Sequence, residues 1–278
     1  APSLYNIHGV QTALNQITLG SSSTFLPVTS IGNANLKPEE ANVYNIGFTW
    51  ATPQNFRFGM DYWRYEFTNL ITQENSQSVV NRALGGDLVA LSQLEFGNIA
   101  DPTTLYHINT NIINAPTVTT DGIDIMTSYD VDTPRGGTVH IGAEATYVFK
   151  YEAVDQAGNS FDGAGKRNFA NFARSMPEWR ANFNVGYRED NHSANIFIRY
   201  IDSYVDDQND VVVSSYTTVD MQYSYIFGDP DDAPLQATIG VINLFDKQIP
   251  RLDTNAGFDT KVHDPRQRMM YMKLSKKF

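Results

Sequence analysis

The sequence predicts an all-β protein, a transmembrane antiparallel up-and-down β-barrel of long strands. Three observations carry that expectation. Apolar and polar residues alternate with period 2 through nine segments, those segments run 8 to 16 residues, and the connections between them alternate short and long. A tilted strand needs roughly 9–11 residues to cross a bilayer, whereas strands of soluble proteins average about 5–6.

The alternation is clearest over 178–188. Trp179, Ala181, Phe183, Val185 and Tyr187 share one face; Arg180, Asn182, Asn184, Gly186 and Arg188 share the other. Segment 138–150 repeats it, with Val139, Ile141, Ala143 and Ala145 against His140, Gly142, Glu144 and Thr146, and so does 122–131. The remaining strands are expected at 43–50, 55–70, 193–205, 216–227, 235–245 and 266–278. Short turns are expected at 51–54, 132–136, 189–192 and 228–233, rich in Pro, Gly, Asp and Asn. The long connections are 73–118, 151–175, 206–214 and 246–265. Short turns at one end and long loops at the other are the pattern of a bacterial outer-membrane barrel, with the long loops outside the cell. Aromatics near strand ends (Trp50, Phe56, Phe149, Tyr151, Trp179, Tyr187, Phe227) then form interfacial girdles. On this reading Ala143, Ala145, Ala181, Phe183, Val185, Ile196 and Ile198 face lipid, and Glu144, Arg180, Asn182, Asn184 and Arg199 face the lumen. Residues 1–41 show no sustained period and are read as an extracellular loop. Within 73–118, the Leu88, Leu91, Leu94 spacing predicts a short helix over 87–96 capped by Asp87.

Composition narrows the function. There are 20 Lys+Arg against 31 Asp+Glu, a net charge of −11. That balance opposes binding to nucleic acid, which demands a basic face. Cysteine is absent, which removes disulfides, thiolate metal sites and cysteine nucleophiles. No apolar run is long enough for a membrane helix. Ala1–Tyr5 show neither the basic nor the apolar region of a signal peptide. The five histidines, His8, His107, His140, His192 and His263, match no ligand spacing, and no GxSxG or P-loop occurs. The Gly158–Gly165 stretch opens no helix and reads as a loop. The run Asp206-Asp207-Gln208-Asn209-Asp210 lacks the EF-hand spacing and reads as a solvated acidic tip, while Asp229, Asp231 and Asp232 read as a charged turn. No catalytic residue, metal or cofactor is expected.

Several segments resemble the TonB-dependent outer-membrane receptors. Leu36-Lys37-Pro38-Glu39-Glu40, followed by Val43-Tyr44-Asn45-Ile46-Gly47, is similar to that family's "LKPE…yElG" motif. Thr120-Asp121-Gly122-Ile123-Asp124-Ile125 resembles its "GvEle" strand, and Val241-Ile242-Asn243-Leu244-Phe245-Asp246-Lys247 its "v.NLFdk" motif. Asp264-Pro265-Arg266-Gln267-Arg268 and the run to Phe278 resemble the closing strand with its terminal aromatic, and Ala1-Pro2-Ser3 the end of the mid-barrel "FRAPs". All five occur in the family's order.

The resemblance implies the C-terminal nine strands of a barrel of about 22, with 1–41 a loop after a mid-barrel strand and 42–278 the strands and long loops. It implies that the plug domain and earlier strands lie outside this sequence, in the same or a second chain. It implies TonB–ExbB–ExbD, outer-membrane lipid and lipopolysaccharide, and a small-molecule ligand as partners, and energised uptake of a scarce solute: an iron–siderophore, haem, cobalamin or oligosaccharide. Loop candidates for ligand contact are Tyr151, Phe161, Tyr204, Asp206, Asp207 and Phe258; aromatics among them serve equally to pack loops together. Phe278, with Met270, Met272 and Leu274 on its face, is the expected assembly signal. Two alternatives remain open from the residues: an autotransporter-type translocator barrel, and a soluble β-sandwich that binds sugars or adheres. The first requires a pore-threading helix, which Pro2, Pro27 and Pro38 oppose.

Overall fold

The computed structural model describes residues 1–20, 22–115, 117–154, 160–167, 175–207, 210–228, 235–254 and 256–276. Asp229, Asp231, Asp232 and Phe278 lie outside them, as do Gly158, Gln208 and Asn209.

Along the chain, helix α1 (Leu4–His8) leads into a hairpin of β1 (Val10–Leu19) and β2 (Ser22–Ile31). Strands β3 (Glu40–Ala51) and β4 (Phe56–Thr68) follow. The next connection holds β5 (Leu70–Gln73), α2 (Ser76–Leu84), α3 (Leu88–Ser92), β6 (Leu94–Phe96) and β7 (Leu105–Ala115). Then come β8 (Val118–Asp132), β9 (Thr138–Val154) and the short β10 (Ser160–Asp162), β11 (Lys166–Arg167) and β12 (Ser175–Met176). Strands β13 (Trp179–Glu189) and β14 (His192–Ile201) precede the short β15 (Tyr204–Asp206) and β16 (Val211–Val213), and β17 (Tyr216–Phe227), β18 (Leu235–Ile242) and β19 (Met269–Lys276) end the fold.

One antiparallel sheet runs β19-β18-β17-β14-β13-β9-β8-β4-β3, nine long strands in chain order, as the alternation predicts. No pairing joins β19 to β3 among the described residues, so the sheet is not closed. Register places like with like. Phe183 opposes Ala143 and Ile198, while Asn182 opposes Glu144 and Arg199. The apolar face is the bare one: Ile46, Phe48, Phe183, Ile196, Ile239, Met270, Met272 and Leu274 are all exposed, Met270 by 78%. The other face is cross-linked. Thr146 donates to Asp124 (2.6 Å), His140 meets Asp130 (2.7 Å), Ser224 meets Thr238 (2.7 Å) and Arg199 pairs with Asp220. A face dominated by apolar side chains suits hydrocarbon, where an unpaired polar group costs several kcal/mol.

Two of the short turns share one chemistry. Thr52-Pro53-Gln54-Asn55 and Thr133-Pro134-Arg135-Gly136 each fix φ with Pro after Thr and then require a positive φ, 61° at Asn55 and 85° at Gly136. The Thr N–H donates across the turn to Phe56 O (2.9 Å) or Gly137 O (2.7 Å). Strand β18 stops at Ile242 because Asn243 takes φ 53°. Its amide then clamps the chain, donating to Lys247 O (3.0 Å) and accepting from Lys247 N–H (2.8 Å). This is the physical content of the Asn-Leu-Phe-Asp-Lys motif.

The larger buried hydrophobic cluster lies off the long sheet. Strands β1-β2-β7-β5, with β6 on β7, form a second sheet covered on one face by α2 and α3. Ile17, Leu26, Val28, Val79, Val80 and Ile108 are buried between them. Residues 1–41 therefore carry a regular hairpin that the sequence reading leaves as irregular loop. Thr18 N–H donates to Gln77 Oε1 (2.7 Å), tying β1 to α2. The expected helix over 87–96 is shorter. Asp87 caps it by accepting from Val89 and Ala90 N–H, but it ends at Ser92, and Leu94 enters β6. Leu91 and Leu94 pack with Ala90 into the buried cluster while Leu88 is exposed, so two of the three leucines mark the packed face.

Candidate functional site

Two constructions stand at the long-loop end of the sheet. The first is a cleft of about 420 Å³ on the polar face. Its wall is a ladder along β4: Trp63, Tyr65 and Phe67 sit at i, i+2, i+4 and so point the same way. The Tyr65 and Phe67 rings are parallel within 5°, with centroids 6.0 Å apart, and Trp63 follows at 5.7 Å from Tyr65. Gly122 on the neighbouring strand makes room, since a Cβ there would lie 2.5 Å from Trp63 Cζ2. Met176 and Pro177 contribute further apolar lining, Tyr151 also borders the space, and Glu178 and Arg180 bring the charges. Glu178 is engaged, accepting from Tyr147 OH (3.3 Å). Arg180 is exposed and makes no ion pair among the described residues.

The second construction is a buried polar clasp joining three loops. Arg167 donates to Asp206 Oδ1 (2.7 Å) and its Nε lies 3.7 Å from Asp259 Oδ2. Tyr204 OH donates to Asp259 Oδ2 (3.0 Å) and lies 3.3 Å from His263 Nε2. Strand β11 pairs in parallel with β15, aligning Arg167 with Asp206. Val213 and Leu252 bury the apolar side of the same junction. Burial, then the Asp259 carboxylate, pushes the Tyr204 phenol far above its ordinary range. Burial pulls the His263 imidazole below its ordinary value, against the opposing pull of Asp259. His263 is 5% exposed, and its Nδ1 is buried without a hydrogen-bond partner among the described residues.

The six loop residues singled out in the sequence therefore separate. Tyr204 and Asp206 are buried inside the clasp, Asp206 completely. The expected solvated tip holds for Asp207 and Asp210, which are exposed, and not for Asp206, which Arg167 draws inward. Tyr151 reaches the cleft. Phe161 pairs through β10 with Ala153 of β9, and Phe258 is half-buried in the last loop. No cluster of His, Asp and Glu suited to a metal occurs among the described residues. Arg167, Asp259 and the Trp63-Tyr65-Phe67 ladder escape the sequence reading. The ladder had a signal. In β4 the aromatics occupy even positions through Tyr62 and odd positions from Trp63, so they change face midway.

Comparison with known proteins agrees with this architecture. Residues 1–244 match the family model described as TonB dependent receptor-like, beta-barrel. No curated protein matches the chain. Among solved structures, a mutant of the ferric enterobactin receptor PfeA from Pseudomonas aeruginosa is 17% identical, with a TM-score of 0.61 over 100% of this chain. The siderophore receptor PirA from Acinetobacter baumannii is 18% identical, with a TM-score of 0.61 over 99% of this chain. The copper transporter OprC is 15% identical, with a TM-score of 0.55 over 88% of this chain. The chain spans 36%, 37% and 32% of those three proteins' lengths. No helix of the described residues is long and apolar enough to cross a membrane, a finding silent about strands. With the nine-strand meander, its single bare apolar face and the match over residues 1–244, the chain belongs to the TonB-dependent receptor β-barrel family.

Proposed function

We propose that this chain is the C-terminal part of an outer-membrane receptor of a Gram-negative bacterium that takes up a scarce solute with energy relayed by TonB, and that it is not an enzyme. The observation that carries the reading is the two-faced sheet with two unpaired edges. Its outer face is suited to hydrocarbon. Among the described residues, no strand pairs with the outer edge of β3 or of β19, and lipid does not tolerate an open sheet edge. Further strands are therefore expected to complete the barrel, with a plug filling its lumen and TonB–ExbB–ExbD acting on that plug. Siderophore complexes, haem, cobalamin and oligosaccharides remain the solute classes. The names of the similar structures, two siderophore receptors and a copper transporter, support iron chelates first. Met270, Met272 and Leu274 on the bare face of β19, together with Phe278, fit an assembly signal at the closing strand.

The test is solute uptake by cells expressing the full-length receptor, with and without a functional TonB. Accumulation should require TonB, and the receptor should fractionate with the outer membrane as a heat-modifiable band. Undiminished accumulation without TonB would overturn the reading.

A further inference from the structure

The second sheet, β1-β2-β7-β5, has one guarded edge and one unguarded edge. Strand β5 makes the guarded one: it is four residues long, and its Ile71 N–H donates to Glu39 Oε1 (2.8 Å). The other edge is β1, which pairs with β2 alone among the described residues. Just ahead of that pairing, Gly9 O accepts from Gly32 N–H (2.7 Å). Odd residues of β1 therefore bond β2, and even residues turn their N–H and C=O outward. At Thr18 one side chain takes the outward pair: the Gln77 amide accepts from Thr18 N–H (2.7 Å) and donates to Thr18 O (3.0 Å). It stands where a residue of a partner strand would stand. The outward backbone groups of Thr12 and Leu14 have no such substitute among the described residues.

Exposed edges are normally blunted by Lys, Pro, a bulge or shortness. Strand β1 has none of these: it runs ten residues, Val-Gln-Thr-Ala-Leu-Asn-Gln-Ile-Thr-Leu, in unbroken register and without a charge. Val10 and Leu14 stand 66% and 69% exposed on the face away from the helices, whereas Ile17 on the other face is buried. The position of this edge selects its occupant. Strands β5 and β7 adjoin β4 and β8 along the chain, and β2 leads into β3. Both sheets thus open on the same side, the long one at β3 and the second at β1. A strand that covers β3 and continues beyond the membrane arrives beside β1. A second copy pairing β1 with β1 would leave β3 uncovered.

We propose that β1 is an interaction edge, taken by an extended, uncharged strand from the part of the receptor outside this sequence, in the loop of the barrel strand that pairs with β3. Backbone hydrogen bonds to Thr12 and Leu14 hold that strand, and its apolar side chains cover Val10 and Leu14. The proposal rests on the receptor reading and adds to it a second junction with the rest of the barrel, outside the membrane.

Hydrogen exchange on the full-length receptor in detergent, resolved to single amides, tests the pairing. Thr12 and Leu14 should be protected about a hundredfold or more over an unstructured chain, as Ala13 is by β2. Exchange of Thr12 and Leu14 near the unstructured rate, with Ala13 protected, would overturn the proposal. Leu14→Pro removes an outward N–H and no bond to β2. It should cut the protection of Thr12 about tenfold or more and leave that of Ala13 unchanged. If that variant loses heat-modifiability, Leu14→Lys takes its place, with the same direction expected from a charge set against the added strand. Unchanged protection of Thr12 in a folded variant counts against the pairing. In a further arm, 4-benzoylphenylalanine in place of Val10 is photolysed and the cross-link mapped by peptide mass. It should reach receptor sequence outside these 278 residues. A cross-link to β1 of a second copy, or none, refutes the choice of occupant. TonB-dependent uptake with an unprotected β1 edge would sink the pairing alone. A protected edge with TonB-independent uptake would sink the receptor reading and leave the pairing.

Discussion

Replacing Phe183 by Arg tests which face of the sheet meets lipid. Phe183 is the fifth of the 11 residues of β13, close to the middle of the strand. At a rise of ~3.3 Å per residue and a tilt of roughly 40°, 11 residues rise about 28 Å, close to the ~30 Å hydrocarbon core. Position 183 then lies near the midplane, where a lipid-facing Arg costs about 2–4 kcal/mol. The neighbours Ala143 and Ile198 have no polar atom to receive it. At about 1.4 kcal/mol per factor of ten, the folding equilibrium should fall by roughly 30-fold to several hundred-fold. Asn182→Arg, one residue away on the lumen face, meets both Glu144 and Arg199. Attraction and repulsion nearly cancel there, and the cost should stay within about 1 kcal/mol. The assay is guanidinium unfolding of the full-length receptor in phosphatidylcholine vesicles. A cost at 182 equal to or above that at 183 would refute the assignment of the faces.

Three further outcomes are expected. Asn243→Ala removes both clamps on Lys247 and places a Cβ residue with no compensating bond at φ 53°; at 3% exposure this should cost about 2–3 kcal/mol, read in the same titration. Glu74→Ala strips the buried carboxylate that accepts from Gln93 Nε2 (2.6 Å) and Asn111 N–H (2.9 Å) and pairs with Arg82, so the cap, made of the β1–β2 hairpin and residues 70–115, should lose about 2–4 kcal/mol and become sensitive to protease while the barrel stays folded. The His263 imidazole is held below its ordinary value by burial, so the clasp is fully stabilised above about pH 6.5 and weakens as pH falls below it, because the unfolded loop takes up the proton first. Tyr204, Tyr216, Asp259 and Arg180 are the groups around it. Protease nicking in 204–213 and 252–263 should rise between pH 7.5 and 5, and His263→Gln should flatten that rise.

How much of this was legible differs by element. The barrel strands announce themselves because lipid and lumen impose opposite chemistry on alternate residues, and Phe183 next to Asn182 needs no partner to be read. The cap was not legible. Strands β1 and β7 owe their place to α2, and Ile17 and Ile108 are buried only once 79–83 lies across them. Leu94 followed helical spacing into a strand because β7 offers a ladder that the local sequence does not reveal. The clasp was half legible. Tyr204 and Asp206 stood out by type, but Arg167 reaches Asp206 across 39 residues of chain and Asp259 reaches Tyr204 across 55, and no local pattern encodes that meeting.

The cap contains the parallel pairing of β2 with β7, which aligns Thr29 with Asn109. Between them lies the β3–β4 hairpin, whose ends, Glu40 and Thr68, are directly opposed. That geometry sets an order of assembly. Before the hairpin forms, pairing β2 with β7 means closing a loop of about 80 residues, against an entropy that grows with loop length. Afterwards both segments emerge at one end of the membrane, side by side, and the effective loop shortens to the leads outside it, 11 residues from Thr29 to Glu40 and 41 from Thr68 to Asn109. The cap is thus a late structure whose folding is templated by insertion of a barrel hairpin. A slow phase seen in the cap alone would track the rate at which β3 and β4 enter the bilayer rather than any step within the cap itself.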